Sequence, residues 1–481
     1  MQEDHAFIEQ AMEKRQALIL DTAQKIWEFA ELPYEEYQSA ELLCSILGEN
    51  GFTVEKGVAN IPTAFTGTYV SGNGKPVMGF LGEYDALDVL SQKAATPLRA
   101  PVADGAPGHG CGHNNLGAGA LGAALLVKDY LVENNLPGTV IYFGCAAEEG
   151  AGAKQFMARD GLFDAVDFCY TWHPATKNEV DANFSNAIMG ANFQFFGTSS
   201  HAGGTPWLGR SALDAAELMS VGVNYLREHM IDGARIHYAY VDAGGTAANV
   251  VQDHTLIKYE VRSPKVHQMK ELFERVVNVA RGAALMTDTR MEYEVIMAYS
   301  DYIPNDALAH IAYDAMVEIG PPRWDAADYA LAKQFLFTYN DTTLNAIKEG
   351  IRQTYGADRL ADILDKPLDS EIHPYDLTKA TYAGGSTDVG DVTYACPCLN
   401  LRVATACIGN GGHTWQCTAQ NNSSISQKGL IAATKMMALS AIRTMGRPDV
   451  IAQAKQLVLE QNGGKYQCPL PDDAMPPIGR Y

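Results

Sequence analysis

The sequence predicts an α/β fold that has a mostly parallel sheet and a small inserted unit of strands and helices. Three short apolar runs, at residues 77–81, 140–143 and 166–170, alternate with segments of helical periodicity. This alternation is typical of parallel strands that are joined by crossover helices. After about residue 185 the predicted order changes to strand, helix, strand, strand, helix, strand, which is the order of a ferredoxin-like sandwich.

The chain is predicted to begin with two helices. Residues 7–31 have helical periodicity and reach a turn near Leu32 and Pro33, and residues 39–50 form a second stretch that stops at Gly51. The Ala- and Leu-rich segment 117–130 is predicted to be a buried helix between the first two apolar runs. Residues 430–445 are predicted to form a last helix, which a Pro-rich surface tail follows.

The inserted unit is predicted from six consecutive segments. Its strands are expected at residues 187–196, 236–241, 256–261 and 291–297, and its helices at residues 208–227 and 265–285. We therefore expect one domain made of residues 1–185 and 305–481, and an inserted domain of residues 186–304. Within the larger domain, the polar segment 323–381 is predicted to be an insertion of helices and loops.

Composition excludes several classes of protein. The 481 residues carry a net charge of −21, which argues against a nucleic-acid-binding surface or an anionic-membrane anchor. No uninterrupted apolar window of about 18 residues indicates a membrane-spanning helix, and no apolar signal core follows the acidic start. The nine cysteines lack the spacing of a disulfide framework, which favours reduced thiols and a cytoplasmic location.

Polar residues follow the apolar runs. Asp85 comes after the first run, Glu148 and Glu149 after the second, and His173 after the third. Open parallel sheets bind ligands outside the carboxyl ends of their strands, so we expect these side chains to meet there. Two adjacent carboxylates are costly to hold together unless cations neutralise them, which favours a metal site.

A glycine-rich loop at residues 108–113 contains further candidate ligands. Cys111 and His113 are two residues apart, so both can reach one site. A thiol, imidazoles and a carboxylate are the donors that borderline-soft divalent metals select. The loop alone also fits a flexible segment or a thiolate nucleophile with a histidine base. His173 and His413 are weak candidates singly, and their number and placement favour a metal cage.

Several motifs together resemble the dinuclear-metal aminoacylase and carboxypeptidase family, metallopeptidase family twenty, in its amidohydrolase branch. The resemblance runs in order over nearly the whole chain. The matching segments are residues 82–87, 110–114, 148–150, 172–174, 200–202, 208–215, 248–251 and 412–414.

The resemblance implies a role for each candidate residue. Metal ligation is implied for five residues: Cys111, His113, Glu149, His173 and His413. Cys111 stands where many relatives have a metal-bridging Asp. Glu148 is implied as the general base, and Asp85 as a residue that supports the metal site from behind.

The resemblance implies that the inserted domain is a lid and dimerisation domain. It also implies roles for two residues of this domain. His201 is implied to reach the partner subunit's site and to stabilise the tetrahedral oxyanion, and Asn249 to contact the substrate carboxylate or that oxyanion.

The chain departs from the family pattern at four places. Glu83 stands where the family has His or Asp, so the resemblance does not imply a direct ligand role for it, and Asn114 replaces a common Asp. Trp207 stands where relatives often have His, and residues 384–386 lack the Arg with which many family peptidases hold a terminal carboxylate. The last two departures bear on substrate contacts more than on the type of reaction.

We therefore expect a hydrolase of N-acyl or N-aroyl amino acids that uses two divalent ions, Mn or Zn, with Co or Ni as further candidates. The resemblance favours p-aminobenzoyl-glutamate as substrate, followed by dipeptides and other acyl amino acids. It also implies a homodimer, or a heterodimer with a related second subunit. Two other classes stay open, namely an amidase with Cys111 as nucleophile and a metal-binding subunit without turnover.

Overall fold

The computed structural model describes residues 2–382 and 384–479, and within them eleven strands form two sheets. The strands are β1 Thr53–Lys56, β2 Phe65–Ser71, β3 Val77–Gly82, β4 Gly138–Gly144, β5 Phe168–Ala175, β6 Glu179–Val180, β7 Ala187–Phe196, β8 Arg235–Asp242, β9 His254–Ser263, β10 Arg290–Tyr299 and β11 Cys398–Ala404.

The larger sheet has the strand order β1-β2-β4-β3-β5-β11-β6 and is mixed. Its centre is parallel, because β3 pairs with β4 and β5, and β5 pairs with β11. Both sides are antiparallel, through β1 with β2, β2 with β4, and β6 with β11. The prediction of a mostly parallel sheet was therefore wrong at the edges. The central strand β3 is buried along its whole length, whereas β1 is largely exposed and β6 has two residues.

Helices cover this sheet and build the rest of the chain. They are α1 Gln2–Phe29, α2 Tyr37–Glu49, α3 His113–Glu133, α4 Lys154–Arg159, α5 Ala212–Leu226, α6 Val266–Thr287, α7 Asp306–Ile319, α8 Ala326–Leu336, α9 Asp341–Tyr355, α10 Leu360–Asp365, α11 Val389–Ala395, α12 Trp415–Gln420, α13 Ser424–Met445 and α14 Pro448–Asn462.

The core of the larger sheet forms around α3, which packs on β3, β4 and β5 and against α1 and α13. Small residues permit this close packing. A Cβ atom at Gly119 would lie 2.6 Å from the Trp172 indole nitrogen, and one at Gly122 would lie 2.7 Å from side-chain atoms of Ile19 and Thr434. Such a dense, largely apolar interior supplies most of the driving force for folding.

The smaller sheet has the order β10-β7-β9-β8, and all its pairings are antiparallel. The helices α5 and α6 contact each other and the strands β7 and β9. The strands and helices follow one another as β7, α5, β8, β9, α6 and β10.

Two other predictions of local structure need correction. The strand β5 continues through His173 to Ala175, because its pairing with β11 extends that far, so His173 lies within the strand and not after it. The predicted surface tail contains α14, whose Val450, Ala454 and Val458 are buried. Pro448 fits its first turn, where a proline is preorganised for helix. Within the described ranges, no helix has the length and apolar character needed to cross a membrane.

Candidate active site

The candidate site lies where the central strands end. Glu83 and Asp85 follow β3 directly, Glu148 and Glu149 come shortly after β4, and His173 is near the end of β5. Parallel strands present their carboxyl ends at one edge of a sheet, so three separate connections bring polar side chains to one place.

The glycine-rich loop adds two donors at the start of α3. Gly112 caps this helix in a left-handed conformation, with φ of 91°, so that Cys111 lies just before the helix and His113 is its first residue. A Cβ atom at Gly112 would also come within 2.9 Å of Asn421 and Pro174. Only glycine meets both demands at this position.

The five residues implied as metal ligands converge. The ligand atoms of Cys111, His113 and His173 lie within 4.8 Å of one another, as do those of Cys111, Glu149 and His413. Cys111 belongs to both sets, so its thiol is a donor that the two groups share. A shared thiolate of this kind could serve two metal ions held by these residues.

A third set of donors includes Glu83, which the sequence did not assign as a ligand. The ligand atoms of Glu83, His113 and Glu148 also lie within 4.8 Å of one another. His113 Nε2 lies 3.2 Å from Glu83 Oε2 and 3.9 Å from Glu148 Oε2.

Individual distances show how tightly the donors are grouped. Cys111 Sγ lies 3.5 Å from His173 Nε2, and His413 Nε2 lies 3.3 Å from Glu149 Oε1. His413 reaches the group from a loop in which its own backbone is left-handed, with φ of 58°, and its backbone N–H donates to the Gly110 carbonyl. The C-terminal part of the chain therefore closes a site that its N-terminal part begins.

The donor set fits divalent metal ions by its hydrogen bonding as well. Glu83 Oε2, His113 Nε2 and Glu149 Oε1 are buried, and none makes a hydrogen bond within the described part of the chain. Buried polar atoms without hydrogen bonds are costly. These atoms instead face other candidate ligands, His113 Nε2 beside Glu83 Oε2 at 3.2 Å and Glu149 Oε1 beside His413 Nε2 at 3.3 Å, which fits atoms that bind a cation.

Asp85 orients two of the candidate ligands. One carboxylate oxygen lies 2.8 Å from His113 Nδ1, and the other accepts a hydrogen bond from the Glu149 backbone N–H at 2.8 Å. With Nδ1 held in this way, His113 presents Nε2 to the donor group.

At two of the candidate ligands, His173 and Glu149, electrostatics favour the protonation state that a ligand needs. Burial and the neighbouring His113 lower the pKa of His173 to about 4, so its imidazole is neutral and can donate a lone pair. Burial alone would raise the pKa of Glu149, but His413 and His113 outweigh it and hold that pKa at about 2. Burial, with the Glu83 and Glu149 carboxylates, raises the pKa of Glu148 well above its usual value.

Sequence reasoning missed a buried ion group behind the site. Lys154 is fully buried, and its Nζ lies 2.7 Å from Glu83 Oε1 and 2.5 Å from Asp388 Oδ1. Asp388 also accepts hydrogen bonds from the backbone N–H groups of Ala153 and Lys154. Lys154 is therefore held between two carboxylates and fixes Glu83 beside His113. No local pattern signals this pairing, because the three residues are far apart in sequence.

A cavity of about 220 Å³ opens beside the donors, and Cys111, Glu148, Glu149, His173 and His413 form part of its wall. Asp181, Phe184, Tyr302, Ser386, Asn400 and Arg402 line the same cavity. The site therefore combines candidate metal ligands with further polar side chains, one of them an arginine.

His201 and Asn249 are not among the residues that line this cavity. They are exposed neighbours beside the smaller sheet, where the Ala202 N–H donates to the Asn249 carbonyl. His201 Nδ1 accepts hydrogen bonds from the backbone N–H groups of Gly203 and Gly204, at 3.1 and 3.0 Å. A single chain thus brings these two residues to each other but not to the donor group.

Comparison with known proteins gives a consistent result. The model of the family described as peptidase family M20/M25/M40 matches residues 79–438. The chain is 39% identical to the B subunit of p-aminobenzoyl-glutamate hydrolase from Escherichia coli, over 99% of both chains. It is 24% identical to the Xaa-Arg dipeptidase of Mus musculus, over 97% of this chain and 92% of the relative.

A solved structure shares the fold. The YXEP protein of Bacillus subtilis, described as a dinuclear metal binding peptidase from the M20 family, superposes with a TM-score of 0.56. The match covers 90% of this chain and 99% of that one, at 16% identity.

Proposed function

The chain belongs to peptidase family M20/M25/M40, and on this basis we propose that it is a metal-dependent amidohydrolase that splits p-aminobenzoyl-glutamate into p-aminobenzoate and glutamate. The relative named for this substrate is 39% identical over 99% of the chain, which supports this choice over other acyl amino acids. Fold alone would not support it, since one fold hosts many substrates.

One observation carries the reaction type. Two sets of donors, Cys111 with His113 and His173, and Cys111 with Glu149 and His413, meet at the shared thiol. Two divalent ions fit these donors, and thiol and imidazole ligands suit Mn less well than Zn, Co or Ni. Bound there, such ions supply Lewis-acid polarisation of the amide carbonyl and of water.

Glu148 is the proposed general base. Its carboxylate lies beside the donors without belonging to the two sets that share Cys111, and it lines the cavity in which substrate would bind. It would take the proton of the attacking water and pass it to the leaving amine nitrogen. Asp85 keeps His113 and the Glu149 backbone in place during this transfer.

The roles proposed for His201 and Asn249 require a dimer. We assign residues 1–185 and 305–481 to the catalytic domain, and residues 186–304 to a ferredoxin-like lid and dimerisation domain. In a dimer, His201 and Asn249 would reach the cavity of the neighbouring protomer, where an imidazole N–H or an amide can stabilise an oxyanion. The exposure of both residues in one chain is compatible with this assignment.

The second member of the dimer is either another copy of this chain or a related chain. The relative from Escherichia coli is one of two differently named subunits of its hydrolase, which supports a heterodimer with a related chain. All nine cysteines are unpaired, which supports a reducing compartment and thus the cytoplasm.

A second candidate function has one observation in its favour. Cys111 Sγ and His173 Nε2 are 3.5 Å apart, as in a cysteine nucleophile with its base. Burial and the Glu149 carboxylate raise the pKa of the Cys111 thiol, however, which opposes formation of a free thiolate.

The test is hydrolysis of a panel of acyl amino acids after chelation and re-addition of Mn, Zn, Co or Ni. We expect release of p-aminobenzoate to stop on chelation and to return with at least one ion. The Glu148→Gln variant should lose activity while still binding metal, and the Glu13→Gln variant, changed on the exposed face of α1, should behave as wild type.

Four outcomes contradict parts of the proposal. Activity that survives thorough chelation favours the cysteine nucleophile. Full activity of Glu148→Gln removes the proposed base, and metal binding without turnover of any substrate makes the chain a binding subunit. No release of p-aminobenzoate with any ion, from this chain alone or from its complex with a related chain, removes the proposed substrate.

A further inference from the structure

Arg402 lies in the cavity wall beside the metal-ligand candidates. It is in β11, where it is in register with His173 of the parallel neighbour β5. Residues in register on adjacent strands present their side chains on the same face, and both residues line the cavity. The arginine is therefore a direct neighbour of a metal-ligand candidate.

The guanidinium of Arg402 is held at one end and free at the other. Its Nε donates to Asp181 Oδ2 at 2.9 Å, and the Asn400 side-chain amide donates to the same oxygen at 3.1 Å. Neither Nη1 nor Nη2 of Arg402 donates a hydrogen bond to any residue that the structure describes. The side chain is 35% exposed, so the free edge can meet a ligand in the cavity.

The charge of the cavity wall favours such a cation. The wall carries the carboxylates of Glu83, Glu148, Glu149 and Asp181. Arg402 is the one arginine or lysine among the described residues that line the cavity. Bound metal ions would offset part of this negative charge, and a fixed guanidinium beside them adds attraction for a substrate carboxylate.

We propose that Arg402 binds the α-carboxylate of the amino acid half of the substrate, a role that rests on the proposed function. In an N-acyl amino acid, only Cα separates this carboxylate from the nitrogen of the bond that breaks. The α-carboxylate must therefore lie close to the donor group, where Arg402 is beside His173. The two Nη atoms present parallel N–H groups that match a carboxylate.

In this arrangement Asp181 and Asn400 are positioning residues. Asp181 fixes the guanidinium through Nε, and Asn400 orients Asp181. Arg402 thereby supplies the carboxylate contact that residues 384–386, which contain no arginine, do not supply.

The test compares p-aminobenzoyl-glutamate with its α-carboxamide analogue. Replacing Arg402 by Gln removes a charged hydrogen-bonding pair, so we expect kcat/KM for p-aminobenzoyl-glutamate to fall about 10- to 100-fold. For the α-carboxamide, wild type and Arg402→Gln should be alike. Arg402→Lys keeps the charge without the fork and should give an intermediate value.

A binding measurement separates recognition from turnover. In the Glu148→Gln background with metal present, calorimetry should show that Arg402→Gln weakens binding of p-aminobenzoyl-glutamate by about tenfold or more. The matched control is Arg443→Gln, since Arg443 is also partly buried in an ion pair, with Glu318, on α13. It should leave both the affinity and the ratio of the two substrates unchanged.

The results that would contradict the role of Arg402 differ from those that would contradict the proposed function. An equal loss on both substrates would show that Arg402 only neutralises Asp181, and no loss on either would show that another group holds the carboxylate. Failure of the wild-type enzyme to hydrolyse any aroyl amino acid would contradict the proposed function instead. The binding measurement would still test Arg402 in that case.

Discussion

Cys111 is the residue on which the two donor sets depend. Its thiol lies within 4.8 Å of every other ligand atom in both sets, so it serves two groups at once. A nucleophile and a bridging ligand make opposite demands on this side chain. A nucleophile must be free to attack carbon, whereas a bridging ligand must keep its lone pairs on metal.

Replacing Cys111 separates these two roles. We expect Cys111→Asp to retain metal and part of the activity, because a carboxylate can bridge two ions. Cys111→Ala should lose at least about tenfold in metal affinity, the lower end of the cost of disturbing a metal site. Metal content by mass spectrometry and p-aminobenzoate release are the measurements. If Cys111→Asp binds metal normally yet has no activity, the thiol acts as more than a ligand.

His373 offers a pH-dependent contribution to stability outside the metal site. A hydrogen bond with the buried Asp369 carboxylate, 3.0 Å away, raises the pKa of His373 above its usual value, against the effect of burial. Protonated His373 therefore stabilises the fold fully at pH values below the pKa of an unfolded histidine, about 6.5. This contribution is lost as the pH rises through the higher pKa of the folded state.

We therefore expect His373→Gln to destabilise the protein more at about pH 5.5 than at about pH 8.5. The measurement is the difference in the free energy of unfolding between wild type and variant, from urea titrations at both pH values. Other titrating groups cancel in this difference. A difference that grows with pH would contradict the assigned direction.

Part of the site's grouping could be predicted from the sequence. Strand order places Asp85, Glu148, Glu149 and His173 at one edge of the sheet, whereas the set of five ligand candidates with Cys111, His113 and His413 was implied by the family resemblance. Lys154 could not be predicted in this way. A lysine in sequence is expected on the surface, and only the fold shows that Glu83 and Asp388 enclose it.

The helix α3 shows how closely elements pack around the site. Gly119 faces the Trp172 indole, whose N–H donates to the Leu116 carbonyl at 3.1 Å. An added methyl group would press on this ring, which fills the space between α3 and β5. Packing, and not helix propensity, therefore decides which residue is tolerated at position 119.

We expect Gly119→Ala to lower the free energy of unfolding by about 1–3 kcal/mol, the usual cost of overpacking, despite the better helix propensity of alanine. The control is Gly350→Ala in α9, where a Cβ atom would meet nothing within 4 Å. This change should raise the free energy of unfolding by about 0.5–1 kcal/mol. Chemical denaturation measures both, and stabilisation by Gly119→Ala would contradict the packing seen here.

Elements were predictable where their pattern is strong. The buried strands β3 and β4 and the long helices α1 and α3 follow from apolar runs and helical periodicity. The edge strand β1 and its neighbour β2 were missed because partly exposed strands lack a continuous apolar run. The strand β11 was missed since Asn400 and Arg402 interrupt its apolar pattern, and these two residues face the cavity.

At the scale of the molecule, metal binding should stabilise the fold as a whole. The donors come from the connections after β3 and β4, from β5, from the start of α3 and from the loop before α12. An ion that binds only the folded state stabilises it by about 4 kcal/mol when present at about 1,000 times its dissociation constant. Metal therefore links distant parts of the chain.

Thorough chelation should lower the melting temperature, and re-addition of the ion should restore it. Differential scanning calorimetry with and without metal measures this shift, and Cys111→Ala should show a smaller one. A melting temperature that does not respond to any of the four ions would contradict a metal site built from these donors.

The position of His413 has a consequence for how the protein is made. Cys111, His113 and His173 are all synthesised early, so a nascent chain can assemble the first set of donors while translation continues. The second set stays incomplete until the ribosome has released His413, whose backbone docks on the Gly110 carbonyl. Metal loading should then be ordered in time. We expect ribosome-bound chains stalled before His413 to carry at most one ion and the finished protein to carry two.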